Sequence, residues 1–270
     1  MSNRSCEILI IGGGAAGISA ALAASKHANV TIIDDNPQLG GQIWRAELGR
    51  ICSPEANRLI GRITAGNVKI INNAQTYSAE TPEQLVAETP EGRLELQYQK
   101  LIIATGAREC FLPFRGWTLP GVFGAGGLQA MVKSGMPIAR KRVVVAGTGP
   151  LLLAVADYLK AKGAKVVAIA EQASRANINR FALGLWRYPA KVRQAASIRM
   201  RLRGVEYLAG SWVTAASGDG RVQHVTLSDG GKHRFFDCDY LACGFHLVPN
   251  TELASVLGCT ISNGCVEIDE

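Results

Sequence analysis

The stretch Glu7-Ile8-Leu9-Ile10-Ile11-Gly12-Gly13-Gly14-Ala15-Ala16-Gly17, its alanine-rich continuation to Ser25, and Val30-Thr31-Ile32-Ile33-Asp34 decide the fold. Ile8 to Ile11 is a short apolar run that reads as a strand. A glycine turn, a helical stretch and a second apolar run, Val30 to Ile33, complete a strand–turn–helix–strand unit. Each glycine has a physical task. Gly12 permits the tight turn, Gly14 lets a pyrophosphate approach the backbone, and Gly17 lets the helix pack closely on the strand. The helix N-terminus, opening at Ala15 and Ala16, offers free N–H groups and the positive end of the helix dipole to an anion. Asp34 lies 22 residues after Gly12, close to the spacing of about 20 at which a carboxylate accepts hydrogen bonds from an adenosine ribose. It would repel a 2′-phosphate, and neither Asp35 nor Asn36 supplies a cation to hold one. The site therefore reads as one for FAD or NAD and against NADP, with an ordinary unit lacking a nucleotide as the alternative.

A second copy begins at Arg142. Val143 to Ala146 reads as a strand, Gly147-Thr148-Gly149-Pro150-Leu151-Leu152 as the turn, Leu153 to Lys162 as a helix, and Val166 to Ala170 as a strand ending in Glu171, 24 residues after Gly147. Leu152 replaces the third glycine and is expected to loosen helix-to-strand packing, while Gly147 and Gly149 still admit phosphate. Glu171 favours an unphosphorylated ribose, although Arg175 four residues on blurs the choice. NAD or another adenine nucleotide here stands against a fold retained without ligand. Between the copies, Leu94 to Tyr98 alternates and Leu101 to Ala104 runs into Thr105-Gly106. Pro113 to Gly127, rich in Gly and Pro, reads as a connection between domains. From Val205 to Leu241 the pattern is strands, with turns at Gly218 to Gly220 and Asp229 to Gly231.

Composition agrees with a globular chain of one large or two ordinary domains: 270 residues, 47% hydrophobic, 6% aromatic and 19% charged. The longest nearly uninterrupted apolar run, Val143 to Ala156, holds two glycines and a proline and falls short of the roughly 18 to 20 residues that span a bilayer. Met1 to Glu7 carries one arginine, and the apolar stretch that follows is too short for a signal peptide, which places the chain in the cytoplasm. Seven cysteines without a CxxC pair read as reduced thiols. The four histidines share no metal spacing, so no metal site is expected. The net charge of +7 is local: eight bases and no acid lie between Glu171 and Glu206, and the remaining 21 of 29 bases face 22 acids. A solvated face, a dock for an acidic partner and a contact for nucleotide phosphates are the readings. Nucleic acid is not expected, because the segment reads as lacking a binding motif and interleaved aromatic residues.

Two such units with Ala104-Thr105-Gly106-Ala107 between them resemble the two-dinucleotide-binding flavoprotein superfamily that includes the pyridine nucleotide-disulfide oxidoreductases. The resemblance implies an α/β fold of two Rossmann-like domains, each a three-layer ββα arrangement, the second inserted into the first. It assigns residues 1–112 to the N-terminal part of an FAD-binding domain, 113–243 to an inserted NAD(P)-like domain, and 244–270 to the start of the return to the FAD domain. Leu39-Gly40-Gly41-Gln42 matches the loop beside the flavin, Thr105-Gly106 the hinge towards the inserted domain, and Gly244 with Pro249-Asn250 the return. Trp44 either covers the isoalloxazine or packs in the core, and His246 sits in the return segment. The implied cofactor-binding residues are Gly12, Gly14, Ala15, Ala16, Gly17, Asp34, Gly41, Gln42, Thr105 and Gly106 for FAD, and Gly147, Gly149 and Glu171 for the second nucleotide. No catalytic side chain is assigned, since in flavin enzymes the cofactor carries the redox chemistry.

Closer still, Gly40 to Arg45, Gly116 to Val122 and Gly244-Phe245 before Pro249-Asn250 are similar to the FAD-binding subunits of opine oxidase, hydrogen cyanide synthase and hydroxyproline dehydrogenase complexes. That branch implies oxidation of the C–N bond of an amino acid or secondary amine, beside a flavin-containing dehydrogenase subunit, with electrons passed to an acceptor. An NADH-dependent flavin reductase and a nucleotide-binding scaffold without turnover are the alternatives. Disulfide reduction is excluded, because no cysteine pair is available for exchange. The superfamily also has a second FAD motif, a strand followed by Gly-Asp, and Val266 to Asp269 looks like the strand before it. The expectation is a fragment or shortened product that retains FAD weakly or not at all.

Overall fold

The computed structural model describes residues 2–51 and 53–268, with the backbone alone at Ser2, Asn3 and Glu80; Cys52 and Asp269 lie outside the described residues. The chain divides into two compact units, Met1–Arg108 with Val248–Glu270, and Glu109–Leu247. The second is thus inserted into the first. The chain passes between the units at Ala107–Cys110 and His246–Pro249. The described helices are α1 (Ala15–Ala24), α2 (Pro54–Thr64), α3 (Ala125–Lys133), α4 (Leu151–Ala161), α5 (Arg175–Leu185), α6 (Pro189–Arg201) and α7 (Glu252–Val256). None is long and apolar enough to cross a membrane.

The first unit is built on a six-stranded sheet, in the order Val68–Ile71, Val30–Ile33, Ser2–Ile11, Gly92–Ile103, Gln84–Thr89, Gln75–Thr81. The first four strands are parallel and the last two complete an antiparallel meander. Alternate residues of the opening strand enter different cores. Ile10 joins Ile18 of α1, Ile32 and Ile63 of α2, while Leu9 and Ile11 join Ile33, Leu85 and Leu96. Burial on both faces is why the strand reads as an unbroken apolar run rather than an alternating one. Ser53 caps α2 by accepting from Ala56 N–H at 3.3 Å, and Pro54 follows in the first helical position, where a missing N–H costs nothing.

The second unit repeats the plan with a five-stranded parallel sheet, in the order Glu206–Ala209, Lys165–Glu171, Arg142–Gly147, Tyr240–Gly244, Val122–Gly124. Val143 and Val145 pack with α3 and α4 on one face. Val144 and Ala146 pack on the other against the antiparallel meander Trp212–Ser217, His224–Ser228, His233–Asp237. Meander, parallel sheet and helices make the three layers. Three expectations are corrected here. Pro113–Gly127 is not merely a connection: Val122–Gly124 is an edge strand, and α3 starts at Ala125. Its glycines serve turns, with φ of +81° at Gly116 and +95° at Gly121, and the two apolar residues Val122 and Phe123 are enough for a short strand. Leu152 does not loosen α4 either. It is fully buried, and its Cδ2 fills the space that a Cβ on Gly244 would need, 3.1 Å away. A large side chain on the helix is matched by an absent one on the strand. Near the C-terminus, Ile261–Ser262 pairs with Cys265–Val266 as a small hairpin, so Val266 closes a two-residue strand and Glu267 and Ile268 belong to none.

Candidate functional site

In the first unit the glycine loop is a region where Cβ atoms have no room. Gly12 has φ of +104°, and a Cβ on it would lie 2.3 Å from Ala104 O. A Cβ on Gly17 would lie 1.8 Å from Gly12 O, so the helix leans directly on the turn that precedes it. Gly14 differs: a Cβ there would meet only Gly41 Cα, at 3.8 Å, within the space that the loop leaves open. Gly41 has φ of +56°, and a Cβ on it would stand 2.8 Å from Gly14 Cα. The loop Leu39–Gln42 is thus laid against the start of α1 at a separation that only glycine permits, and Gly40 N–H to Gly13 O at 2.8 Å holds it there.

Gly14 is the N-cap of α1, with no side chain bonded to the helix end. The first helical bond runs from Ile18 N–H to Gly14 O at 2.9 Å. The N–H groups of Ala15, Ala16 and Gly17 are therefore left without a helical acceptor, in the orientation that suits an anion. Asp34 is 5% exposed. It accepts from Gly13 N–H through one oxygen, and from Asn36 N–H at 2.8 Å and Asn36 Nδ2 at 2.9 Å through the other. Its orientation is thereby fixed beside the glycine loop. Burial and the neighbouring charge of Asp34 push the Asp35 carboxyl above its ordinary value. Two adjacent carboxyls at this corner oppose a phosphorylated ribose.

The structure brings Gly12, Gly14, Ala15, Ala16, Gly17, Asp34, Gly41 and Thr105 together, because Ala104 and Thr105 back onto the Gly12 turn. Gln42 is exposed, and its Oε1 accepts from Arg45 at 3.0 Å. Trp44 packs against the α1–α2 core. Gly106 takes φ of +70° with open space around it. Spacing gave no signal for the role of Asn250. Its Nδ2 donates to Thr105 O at 2.9 Å, its N–H to Gly106 O at 3.0 Å, its O accepts from Thr105 Oγ1 at 2.9 Å, and its Oδ1 from Arg108 at 3.0 Å. One side chain and its backbone fasten the return segment to the Thr105-Gly106 element. Leu39, in the loop expected beside the flavin, is buried with Cδ2 2.3 Å from where a Cβ on Gly13 would be.

The second unit places Gly147, Gly149 and Glu171 together in the same plan with different wiring. Gly147 has φ of +146°, and a Cβ on it would lie 1.9 Å from Gly244 O; Gly149 has φ of +92° and open space. Glu171, 4% exposed, accepts from Thr148 Oγ1, Gly149 N–H and Ala173 N–H, each at 2.9 Å. Its extra methylene carries the carboxylate one residue further along the loop than Asp34 reaches. Thr148 N–H is donated to Gly244 O, Leu152 N–H to Gly149 O, and Pro150 has none. Among the described residues, Leu151 and Leu153 are then the members of Thr148–Leu153 whose N–H lacks an acceptor. The first loop, with the four N–H groups of Gly14 to Gly17 free, is richer in donors. Arg175 opens α5 as an exposed residue.

Comparison with known proteins agrees with this geometry. Residues 6–270 match the pyridine nucleotide-disulphide oxidoreductase family. The chain is 30% identical over 272 residues to hydrogen cyanide synthase subunit HcnB of Pseudomonas aeruginosa, across 93% of this chain and 59% of that one. It is 28% identical to an opine oxidase subunit of Agrobacterium tumefaciens, across 94% and 55%. The chain thus spans little more than half the length of these relatives. The fold is that of T. acidophilum thioredoxin reductase, with a TM-score of 0.72 at 23% identity over 97% of this chain and 83% of that one. The chain belongs to the pyridine nucleotide-disulphide oxidoreductase family, whose members are FAD-dependent oxidoreductases that bind FAD and NAD(P).

Proposed function

We propose that the chain holds FAD on its first unit and serves as the FAD-binding subunit of a complex that oxidises the C–N bond of an amino acid or secondary amine. The observation that carries the reading is the Gly14–Gly41 approach over the uncapped end of α1, with Asp34 buried and oriented beside it. Gly14 to Gly17 would hold the pyrophosphate, Asp34 the ribose, and Gly41 with Gln42 and the Thr105-Gly106 element would border the flavin end. Bound FAD supplies the redox centre that takes up the electrons. The chain's own residues bind and orient it, and exclude a phosphorylated ribose through Asp34 and Asp35. The substrate class is supported by likeness to subunits of hydrogen cyanide synthase and opine oxidase. The partners in this reading are an electron acceptor and a flavin-containing dehydrogenase subunit, in the cytoplasm.

A second reading, an NADH-dependent flavin reductase, is favoured by the Gly147, Gly149 and Glu171 loop. Against it stands the donor-poor start of α4, where Glu171 already holds the Gly149 N–H. The test is reduction of the FAD-loaded chain. Bleaching by an amine substrate only when the dehydrogenase subunit is present supports the first reading. Rapid bleaching by NADH alone supports the second, and no bleaching under either condition removes both.

A further inference from the structure

The helices α5 and α6 have no buried residue between them. Isolated helices of 11 and 13 residues are marginal in water, so most of their stability has to come from packing. The observed anchors lie at one end. Arg201 forms two bonds of 2.7 Å to Asp157, Lys160 donates to the carbonyls of Arg201 and Arg203, and the Arg199 guanidinium stacks over Tyr207 at 5.0 Å. The rest presents large apolar side chains to solvent, Phe181, Leu183, Trp186 and Tyr188, with Trp186 81% exposed, and Met200 is exposed at the anchored end itself. At the C-terminal end of α6 there is a groove of about 580 Å³, whose lining includes Met200, Leu202, Val205, Arg199 and Arg203.

The charge around these residues has a single sign. Arg175, Arg180, Arg187, Lys191, Arg193 and Arg203 have no acid partner among the described residues, and the segment contains no acid. A second copy of this face would be repelled. Phe181 and Leu183, two residues apart, lie on roughly opposite sides of α5, where each residue turns about 100°. Arg180 and Leu183 are therefore neighbours, and no side is left purely apolar for a bilayer, which requires segregated faces. The expectation that interleaved aromatic residues are missing is corrected, since Phe181, Trp186 and Tyr188 stand exposed between Arg180 and Lys191. Exposed Leu183 and Met200, however, find no complement on a phosphate backbone. Arginine interleaved with exposed Trp, Tyr and aliphatic side chains is the composition of protein–protein hot spots.

We infer that the α5–α6 surface is a docking surface for a second polypeptide that presents acidic side chains interspersed with apolar ones. The surface is independent of the substrate proposed above. The full chain carrying a benzophenone photo-crosslinker at position 181 is irradiated in extract of its native cells. The product is identified by mass, the captured protein is purified, and its affinity for the unlabelled chain is measured. The expected result is a protein of net negative charge, bound at least tenfold more weakly by Arg180→Glu with Arg193→Glu, and nearly normally by the two Lys variants. Crosslinks to nucleic acid, lipid, a second copy or a neutral or basic protein overturn the inference. So does the absence of a product, or an affinity indifferent to charge reversal. Melting curves and FAD titrations of the same variants are expected to match the parent, which separates loss of docking from misfolding and from failure of the FAD reading.

Discussion

Replacing Gly14 by Ala separates the needs of the ligand from those of the fold. Its φ of −77° suits any residue, and the added Cβ would have only Gly41 Cα near it, at 3.8 Å. The apo protein therefore accommodates the methyl, losing at most about 1 kcal/mol for Ala in place of Gly at an N-cap. A pyrophosphate does not accommodate it, because the methyl occupies the gap through which the anion reaches the N–H groups of Ala15 to Gly17. Hydrogen bonds to a charged group contribute about 1.5–3 kcal/mol each. Loss of one such bond lowers affinity roughly ten- to a hundredfold, and loss of two multiplies that. Calorimetric titration with ADP and with FAD, beside thermal melts, measures both quantities. Gly61→Ala is the control: it lies in α2, where a Cβ meets nothing within 4 Å, and it should leave binding unchanged. An unaltered dissociation constant for Gly14→Ala, with an unaltered melt, would mean that the ligand does not approach α1 here and that the assignment of the loop is wrong.

Asp34→Ala removes the ribose acceptor and orphans the buried Gly13 N–H, so affinity is expected to fall roughly ten- to a hundredfold and stability by about 1–3 kcal/mol in denaturant titration. Unchanged nucleotide affinity would point to another acid. Leu152→Gly restores the third glycine of the motif, yet it should cost about 3 kcal/mol or more, because it empties a fully buried site and adds a helix glycine. Equal or greater stability would contradict the packing described for α4. Burial pushes the thiols of Cys238 and Cys243 up to about 12 from 9.0. Between pH 9 and 12 the unfolded chain holds fewer protons at these sites than the folded one. Stability should thus be full below about pH 9 and decline as pH rises towards about 12, by up to about 1.4 kcal/mol per pH unit and thiol. Urea midpoints measured from about pH 8 to 11 test this, and a flat profile would refute it.

Much of the first unit was legible in sequence because its constraints are local. The Gly12, Gly14, Gly17 and Asp34 pattern is dictated within one strand–turn–helix–strand unit, and the structure assembles those residues in one place. What stayed hidden depends on partners distant in the chain. Leu152 looked like a defect until Gly244, 92 residues on, proved to leave it room. The role of Asn250, although Pro249-Asn250 matched the return motif, is set by Thr105 and Gly106, 145 and 144 residues away. Val122–Gly124 is too short to show a period, and it becomes a strand only through its pairing with Leu241 to Cys243. The charge of the Arg175–Arg203 segment was plain from composition, whereas the absence of any fully buried residue in α5 and α6 was visible only once the helices were placed.

The central claim is that the first unit is an FAD site built on the approach of Gly14 and Gly41. The most direct measurement is a flavin fluorescence titration of the chain with FAD, with ADP as competitor. The account predicts a saturable signal of one FAD per chain, displaced by ADP and weakened at least tenfold by Gly14→Ala. A titration that never saturates, or one that ADP leaves untouched, would contradict it.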